Sequence, residues 1–170
     1  MSKNHFKTGL YTLCFFVRGE EVLLQKRIKP PNPGCLNGVG GKIQTLEEPS
    51  VCVIREAREE CGLFAVSPVL KGILRFVEDD RDYLVFTYLC TKFSGEVLHS
   101  SEEGEHDWYP IADLSQLPCV DNIPVFFPEL VKAQIPLEGV FHYEGDQVEF
   151  RLGVEGEILD SGKYPSGGMN

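Results

Sequence analysis

Positive charge is scarce in this 170-residue chain: 16 Lys and Arg stand against 26 Asp and Glu, for a formal net charge of −10. Polynucleotide backbones are gripped through basic surfaces, so this balance argues against a polynucleotide binder. It leaves open a small phosphorylated ligand, whose charge a few local cations or bound metal ions can offset. No apolar stretch is long enough to span a bilayer, so no membrane association is expected. The run Leu10–Val17 is short, has no small-residue cleavage site after it, and leads through Arg18-Gly19-Glu20-Glu21 into a second apolar segment. It therefore reads as a first strand, not a signal peptide. The six cysteines (14, 35, 52, 61, 90 and 119) form no C-x-x-C pair and have no histidine at metal spacing. That pattern fits buried free thiols in a reducing compartment, and a soluble cytoplasmic protein is expected. Nothing repeats, and a hydrophobic content of 42% is too high for intrinsic disorder.

What is present reads as strands interleaved with two helices. "GLYTLCFFV" and "EVLLQKR" suggest a hairpin around Gly19. "IKPPNPGCLNG" is punctuated as a loop, and "VGGKI" returns briefly to strand. A helix is expected from Glu48 to Cys61, with Pro49 in its first turn and Gly62 at its end. "VLKGILRFVED" and "DYLVFTYLCTKF" read as two strands, followed by an acidic loop, "SGEVLHSSEEGEHD". A short helix near "ADLSQL", a second from about Ile123 to Gln134, and a closing hairpin turning at Gly145-Asp146 complete the domain. The small, polar stretch from Val154 to Asn170 is expected to be a flexible tail beyond a domain spanning 1–153. The fold class is α/β or α+β, layered, with mixed strand directions.

The stretch "GGKIQTLEEPSVCVIREAREECGL" concentrates carboxylates. On a helix Glu56, Glu59 and Glu60 fall at i, i+3 and i+4, on one stripe. Val53, Ile54, Ala57 and Cys61 form a second stripe that can pack on a sheet. Arg55 sits one turn before Glu59 and can pair with it. A solvated acidic face is one reading. The other is a hard divalent cation, which takes several carboxylate and carbonyl oxygens and is commonly shared with substrate phosphates. Gly40-Gly41 would let backbone approach such a site, and Lys42 offers a point charge for a phosphate.

The same stretch resembles the signature of the Nudix hydrolases, a Gly, five residues, a Glu, seven residues, then Arg-Glu-aliphatic-x-Glu-Glu-x-Gly-aliphatic. Gly41, Glu47, Arg55, Glu56, Ala57, Glu59, Glu60, Gly62 and Leu63 match its positions, with Ala57 small where a larger aliphatic is usual. The resemblance implies a Nudix fold, a mixed β-sheet sandwiched between α-helices. It further implies that Glu56, Glu59 and Glu60, with the Gly41 carbonyl, hold Mg2+ or Mn2+ while Arg55 and Glu47 orient them. One more carboxylate is expected from "SSEEGEHDW", Glu103 by its spacing from Trp108, with Glu102 or Glu105 as alternatives and a solvated run as another. Trp108 itself reads as core more than as a stacking platform.

"LNGVGGK", "FFPEL" and "EGVFHYEGDQVEFRL" resemble the MutT branch, the enzymes that sanitise nucleoside triphosphates, over roughly Gly9 to Val154. By that resemblance Asn37 and Asn122 would read the base, and Thr12, Leu74, Phe76 and Phe126 would line the rest of the pocket. Asn37 could equally be a loop asparagine and Asn122 a helix-entry residue. The implied activity is hydrolysis of a purine nucleoside triphosphate, oxidised dGTP foremost, to the monophosphate and pyrophosphate. Alternatives are a dinucleoside polyphosphate, an RNA 5′ end, a nucleotide sugar, or a non-catalytic nucleotide-binding module. A monomer or weak dimer, with a small-molecule nucleotide as its partner, is expected. Two departures from the branch are the lack of a tryptophan near Val120-Asp121 and Pro31 where an aromatic is usual.

Overall fold

The computed structural model describes residues 7–167. β1 (Lys7–Arg18) and β2 (Glu21–Arg27) form the expected hairpin, with Gly19 taking the positive φ, 57°, that the tight turn requires. The proline-rich loop then yields a two-residue strand, β3 (Leu36–Asn37), paired with β2. The segment Gly38–Lys42 lies against β1 through isolated bridges, Val39 to Cys14 and Lys42 to Tyr11, and forms no strand of its own. α1 (Pro49–Cys61) starts on a proline, whose missing N–H would be unpaired there anyway, and stops at Gly62 in the left-handed conformation.

After β4 (Phe64–Ala65) the chain forms β5 (Val69–Val77) and β6 (Arg81–Cys90), an antiparallel pair. β7 (Phe93–Ser94) pairs with β4 in a separate small sheet. The expected acidic loop ends early: from Gly104 to Pro110 the chain is β8, antiparallel to β2 along its whole length. His106 explains this, because it alternates inward and meets the buried Gln25 side chain at 3.0 Å. A short 3-10 turn (Ile111–Asp113), α2 (Ile123–Lys132), β9 (Leu137–Glu144) and β10 (Gln147–Val154) follow.

With the last strand, β11 (Glu157–Pro165), the main sheet runs β11-β10-β9-β5-β6-β1-β2-β3, with β8 also on β2. Its β1–β6 and β5–β9 pairs are parallel and the rest antiparallel, so the sheet is mixed, as expected. Period-2 alternation divides the core between the faces: Phe15, Leu24 and Phe141 pack under α2 with Phe126 and Phe127, and Phe16 and Leu23 pack with Val53, Ala57 and Cys61 of α1. Ile54, expected on that packing stripe, is instead 42% exposed.

The tail expected from Val154 is, over most of its length, a strand. β11 (Glu157–Pro165) pairs antiparallel with β10 after a turn at Glu155-Gly156, both at positive φ. The strand is mostly solvent-facing and polar, and Tyr164 is its anchor, packing on Phe150 with ring centroids 5.9 Å apart. Residues 1–6 of the expected domain and 168–170 of the expected tail lie outside the described residues.

Candidate active site

β1, the Gly38–Lys42 segment, α1 and the loops after β2, β5 and the 3-10 turn enclose a cleft of about 800 Å³. The Gly38–Lys42 segment is held to β1 by backbone bonds, Cys14 N–H to the Val39 carbonyl at 2.6 Å and Thr12 N–H to the Gly41 carbonyl at 2.9 Å. Only glycines permit this approach. A Cβ on Gly40 would strike the Thr12 carbonyl, and one on Gly41 would strike the Glu56 carboxylate.

Arg55 organises the carboxylate end. Its guanidinium grips Glu47 with two bonds, Nε to Oε1 at 2.7 Å and Nη2 to Oε2 at 3.0 Å. It also reaches Glu56 Oε1 at 2.7 Å and Glu59 Oε2 at 3.2 Å. This bidentate pairing, with the Gln44 N–H, holds the Glu47 carboxyl down at about 2. Glu56 and Glu60 face the cleft, whereas Glu59 stands at the rim, its side chain 59% exposed and turned to Arg55. Glu103 also lines the cleft and is paired with Lys29 at 2.6 Å. Glu102 and Glu105 are exposed and do not line the cleft.

Glu60 is the most perturbed of these groups. It is 9% exposed, its Oε2 has no hydrogen-bond partner among the described residues, and its carboxyl is pushed up to about 8. Burial is the main cause, followed by the charges of Glu56 and Glu103. Glu56 is also raised, again chiefly by burial. Among the described residues no three His, Cys, Asp or Glu side chains close on one point. The donor set nevertheless fits a hard divalent cation: two half-buried or buried carboxylates, a buried oxygen without a partner, and a third carboxylate across the cleft.

Of the residues expected at the base, Asn37, Asn122, Thr12 and Phe76 line the cleft, as does Lys42 beside Glu56. Asn37 Oδ1 accepts from the Gly38 N–H at 2.8 Å. Asn122 makes no side-chain cap to α2 and donates to the Tyr143 hydroxyl at 2.9 Å. Leu74 and Phe126 are corrections: both are 0% exposed and belong to the core under α2. Trp108 is away from the cleft, stacked on Phe93 and covered by the Arg18 guanidinium. All six cysteines are free. Sequence reasoning missed Asp121, Tyr143, Tyr11, Tyr83, Arg27 and Arg81, which also line the cleft. For Asp121 the signal was its place beside Asn122, and for Tyr143 its alternation with the inward-facing Phe141.

A cleft with clustered carboxylates on a helix at one end and amide, phenol and carboxyl groups at the other is built to hold a cation and a polar ligand side by side. Residues 7–130 match the NUDIX domain, and the chain belongs to the Nudix hydrolase family. An uncharacterized Nudix hydrolase of Bacillus subtilis, YvcI, is 32% identical over 148 residues, covering 83% of this chain and 92% of the relative. A crystal structure of a MutT protein from Bacillus halodurans superposes with a TM-score of 0.73 at 28% identity, covering 91% of this chain and 97% of that one. A MutT Nudix hydrolase from Burkholderia pseudomallei gives 0.64 at 27% identity, covering 70% and 95%. The α/β fold is thus that of the MutT-like Nudix enzymes. Nudix hydrolases generally use a divalent metal and take small nucleotide substrates. Among the described residues no helix is long and apolar enough to cross a membrane.

Proposed function

We propose that this Nudix hydrolase cleaves purine nucleoside triphosphates, oxidised dGTP foremost, to the monophosphate and pyrophosphate. One observation carries the reading: the cleft is continuous from the Glu56–Glu60–Glu103 end to a wall of Asn37, Asp121, Asn122 and Tyr143. Its volume suits a nucleotide, a ligand that needs a few hundred to about 1,000 Å³. Glu56, Glu60, Glu103 and the Gly41 carbonyl, with Glu59 at the rim, would hold Mg2+ or Mn2+. That cation supplies Lewis acidity toward phosphate oxygens, so hydrolysis needs no covalent enzyme intermediate. Arg55 and Glu47 fix the carboxylates, and Lys42, Arg27 and Arg81 place positive charge along the path of the phosphates. Asn37 and Asn122 present amides, which both donate and accept, to a purine edge.

The test is a comparison of kcat/KM for 8-oxo-dGTP, dGTP, dATP, diadenosine tetraphosphate, ADP-ribose and triphosphorylated RNA with magnesium present. The triphosphates, led by 8-oxo-dGTP, should be the best substrates. Equal turnover of dGTP and 8-oxo-dGTP removes the preference for oxidised bases, and turnover confined to ADP-ribose or the dinucleotide removes the triphosphatase reading. Asn37→Ala should reduce base preference and leave magnesium affinity unchanged.

A further inference from the structure

The base end of the cleft is fixed by a part of the chain that lies beyond the family match at 7–130. Both carboxylate oxygens of Asp121 are engaged. Oδ1 accepts from the Tyr143 hydroxyl at 2.9 Å, and Oδ2 accepts from the Gly167 N–H at 3.2 Å. The Tyr143 hydroxyl accepts in turn from Asn122 Nδ2. Gly167 follows β11, which is registered against β10 from Glu157 to Pro165, and the Ser166 N–H bonds the Asp146 carbonyl at 2.9 Å. The amide therefore reaches Asp121 from a zipped strand with a second backbone tie beside it. At the cleft wall this segment thus donates the Gly167 N–H to Asp121.

We propose that β11 and the residues just after it are a positioning element for base recognition, in which the Gly167 N–H orients the Asp121 carboxylate toward the substrate's purine edge. This rests on the triphosphatase reading above. With one lone pair per oxygen occupied by Tyr143 and Gly167, the carboxylate keeps acceptor capacity for a ligand. A guanine-type edge offers adjacent ring N–H and amino donors to such a pair. An adenine edge sets an unprotonated ring nitrogen against it. A site built to accept from donors discriminates strongly against a base that lacks them. Asp121 belongs to the base wall of the function proposed above, and the element added here is Gly167, a positioning residue that acts through it.

The test compares the wild type with Gly167→Pro, which removes the donor, with a chain ending at Pro165, which keeps β11, and with Gly167→Ala. An alanine Cβ would stand 3.7 Å from Asp121 Cβ, in ordinary contact, and its N–H is retained. KM for guanine triphosphates should rise about three- to tenfold in the first two variants, while kcat changes less than about twofold. That rise is the loss associated with one ordinary hydrogen bond, and less than that of a direct bond to a charged group, because Gly167 acts through Asp121. KM for dATP should not follow, and Gly167→Ala should restore the wild-type ratio. Unchanged guanine KM in both donor-less variants overturns the proposal. So does an equal loss for dGTP and dATP accompanied by a lower Tm, which marks a merely structural role. Amide hydrogen exchange at Gly167, slow in the wild type and fast in Asp121→Ala, tests the tether without substrate. A chain that turns over no triphosphate yet keeps this protection overturns the function and not the tether. Equal exchange in the two proteins overturns the tether itself.

Discussion

Replacing Glu60 by glutamine should make the metal-free protein more stable and far less active, and the two effects have one origin. The carboxyl is nearly buried, has one oxygen without a partner, and faces the charges of Glu56 and Glu103. Its rise from 4.5 to about 8 corresponds to an upper bound of about 5 kcal/mol at about 1.4 kcal/mol per pH unit. Local relaxation and water entry reduce such penalties, so about 2 kcal/mol is the expected effect. Because the folded-state value lies above the unfolded one, stability is complete below about pH 4.5 and declines as pH rises to about 8. Glutamine keeps the shape without the charge. In EDTA at pH 8.5 the variant should melt about 4–8 °C higher than the wild type, and at pH 4.5 the gap should close. Thermal unfolding between these limits measures it. Added magnesium should raise the wild-type Tm more than that of the variant, since a ligand that binds only the folded state stabilises it. Parallel stability curves across the pH range would refute the reasoning, because a buried charge that costs nothing to form is not the charge described.

Arg55→Ala should lower kcat/KM about 10–100-fold, the usual result of removing a group that orients metal ligands, and should weaken magnesium binding in a calorimetric titration. The same variant should be less stable than the wild type near neutral pH, and the gap should close as pH falls toward about 2. The Glu47 carboxyl, held at about 2, contributes stability above about pH 4.5 that disappears only as pH falls through that lower value. Gly41→Ala should abolish most activity with little change in Tm, because its Cβ would meet the end of a flexible side chain, the Glu56 carboxylate, and displace it. Leu74→Ala should cost about 2–5 kcal/mol by urea unfolding and leave KM unchanged, since Leu74 fills the core under α2 and does not touch the cleft.

Legibility followed the range of the interactions. The spacing of Glu56, Glu59 and Glu60 depends only on helical geometry, so their shared stripe was visible in the sequence, as were the proline that starts α1 and the glycine that stops it. Their separation into two inward groups and one at the rim was not. Arg55 bonds Glu59 at the mouth and Glu56 on the inward side, while Glu60 is buried beside the Gly40 backbone. Leu74 and Phe126 were misplaced because an apolar residue in a strand or helix reveals that it is buried, and not which side of the sheet buries it. β11 was read as a tail because its burial is almost confined to Tyr164, leaving no alternating pattern to see. The Asp121–Tyr143–Gly167 connection joins three elements distant in sequence, and only register brings them together.

The two ends of the cleft impose opposite electrostatic demands, and the net charge of −10 connects them. A triphosphate, the substrate proposed above, is itself polyanionic, and when ionised Glu56, Glu60 and Glu103 would repel its phosphates. Glu60, pushed up to about 8, ionises fully only above that value or against a bound cation. The cations lining the cleft are Arg27, Lys42 and Arg81, and the Arg27 side chain is already bonded to the Pro30 and Pro31 carbonyls. They are too few to neutralise both sets of anions, so metal ion and nucleotide must each make room for the other. Linkage requires this coupling to be reciprocal: whatever factor the nucleotide gains from the cation, the cation gains from the nucleotide. The carboxylates then serve two purposes. In the proposed function they would favour a cation, and once ionised they would disfavour a phosphate chain that arrives without one. At the far wall the one carboxylate among Asn37, Asp121, Asn122 and Tyr143 is bonded by the neutral donors Tyr143 and the Gly167 amide, so in the proposed function contacts there would adjust base recognition without touching the hydrolytic end.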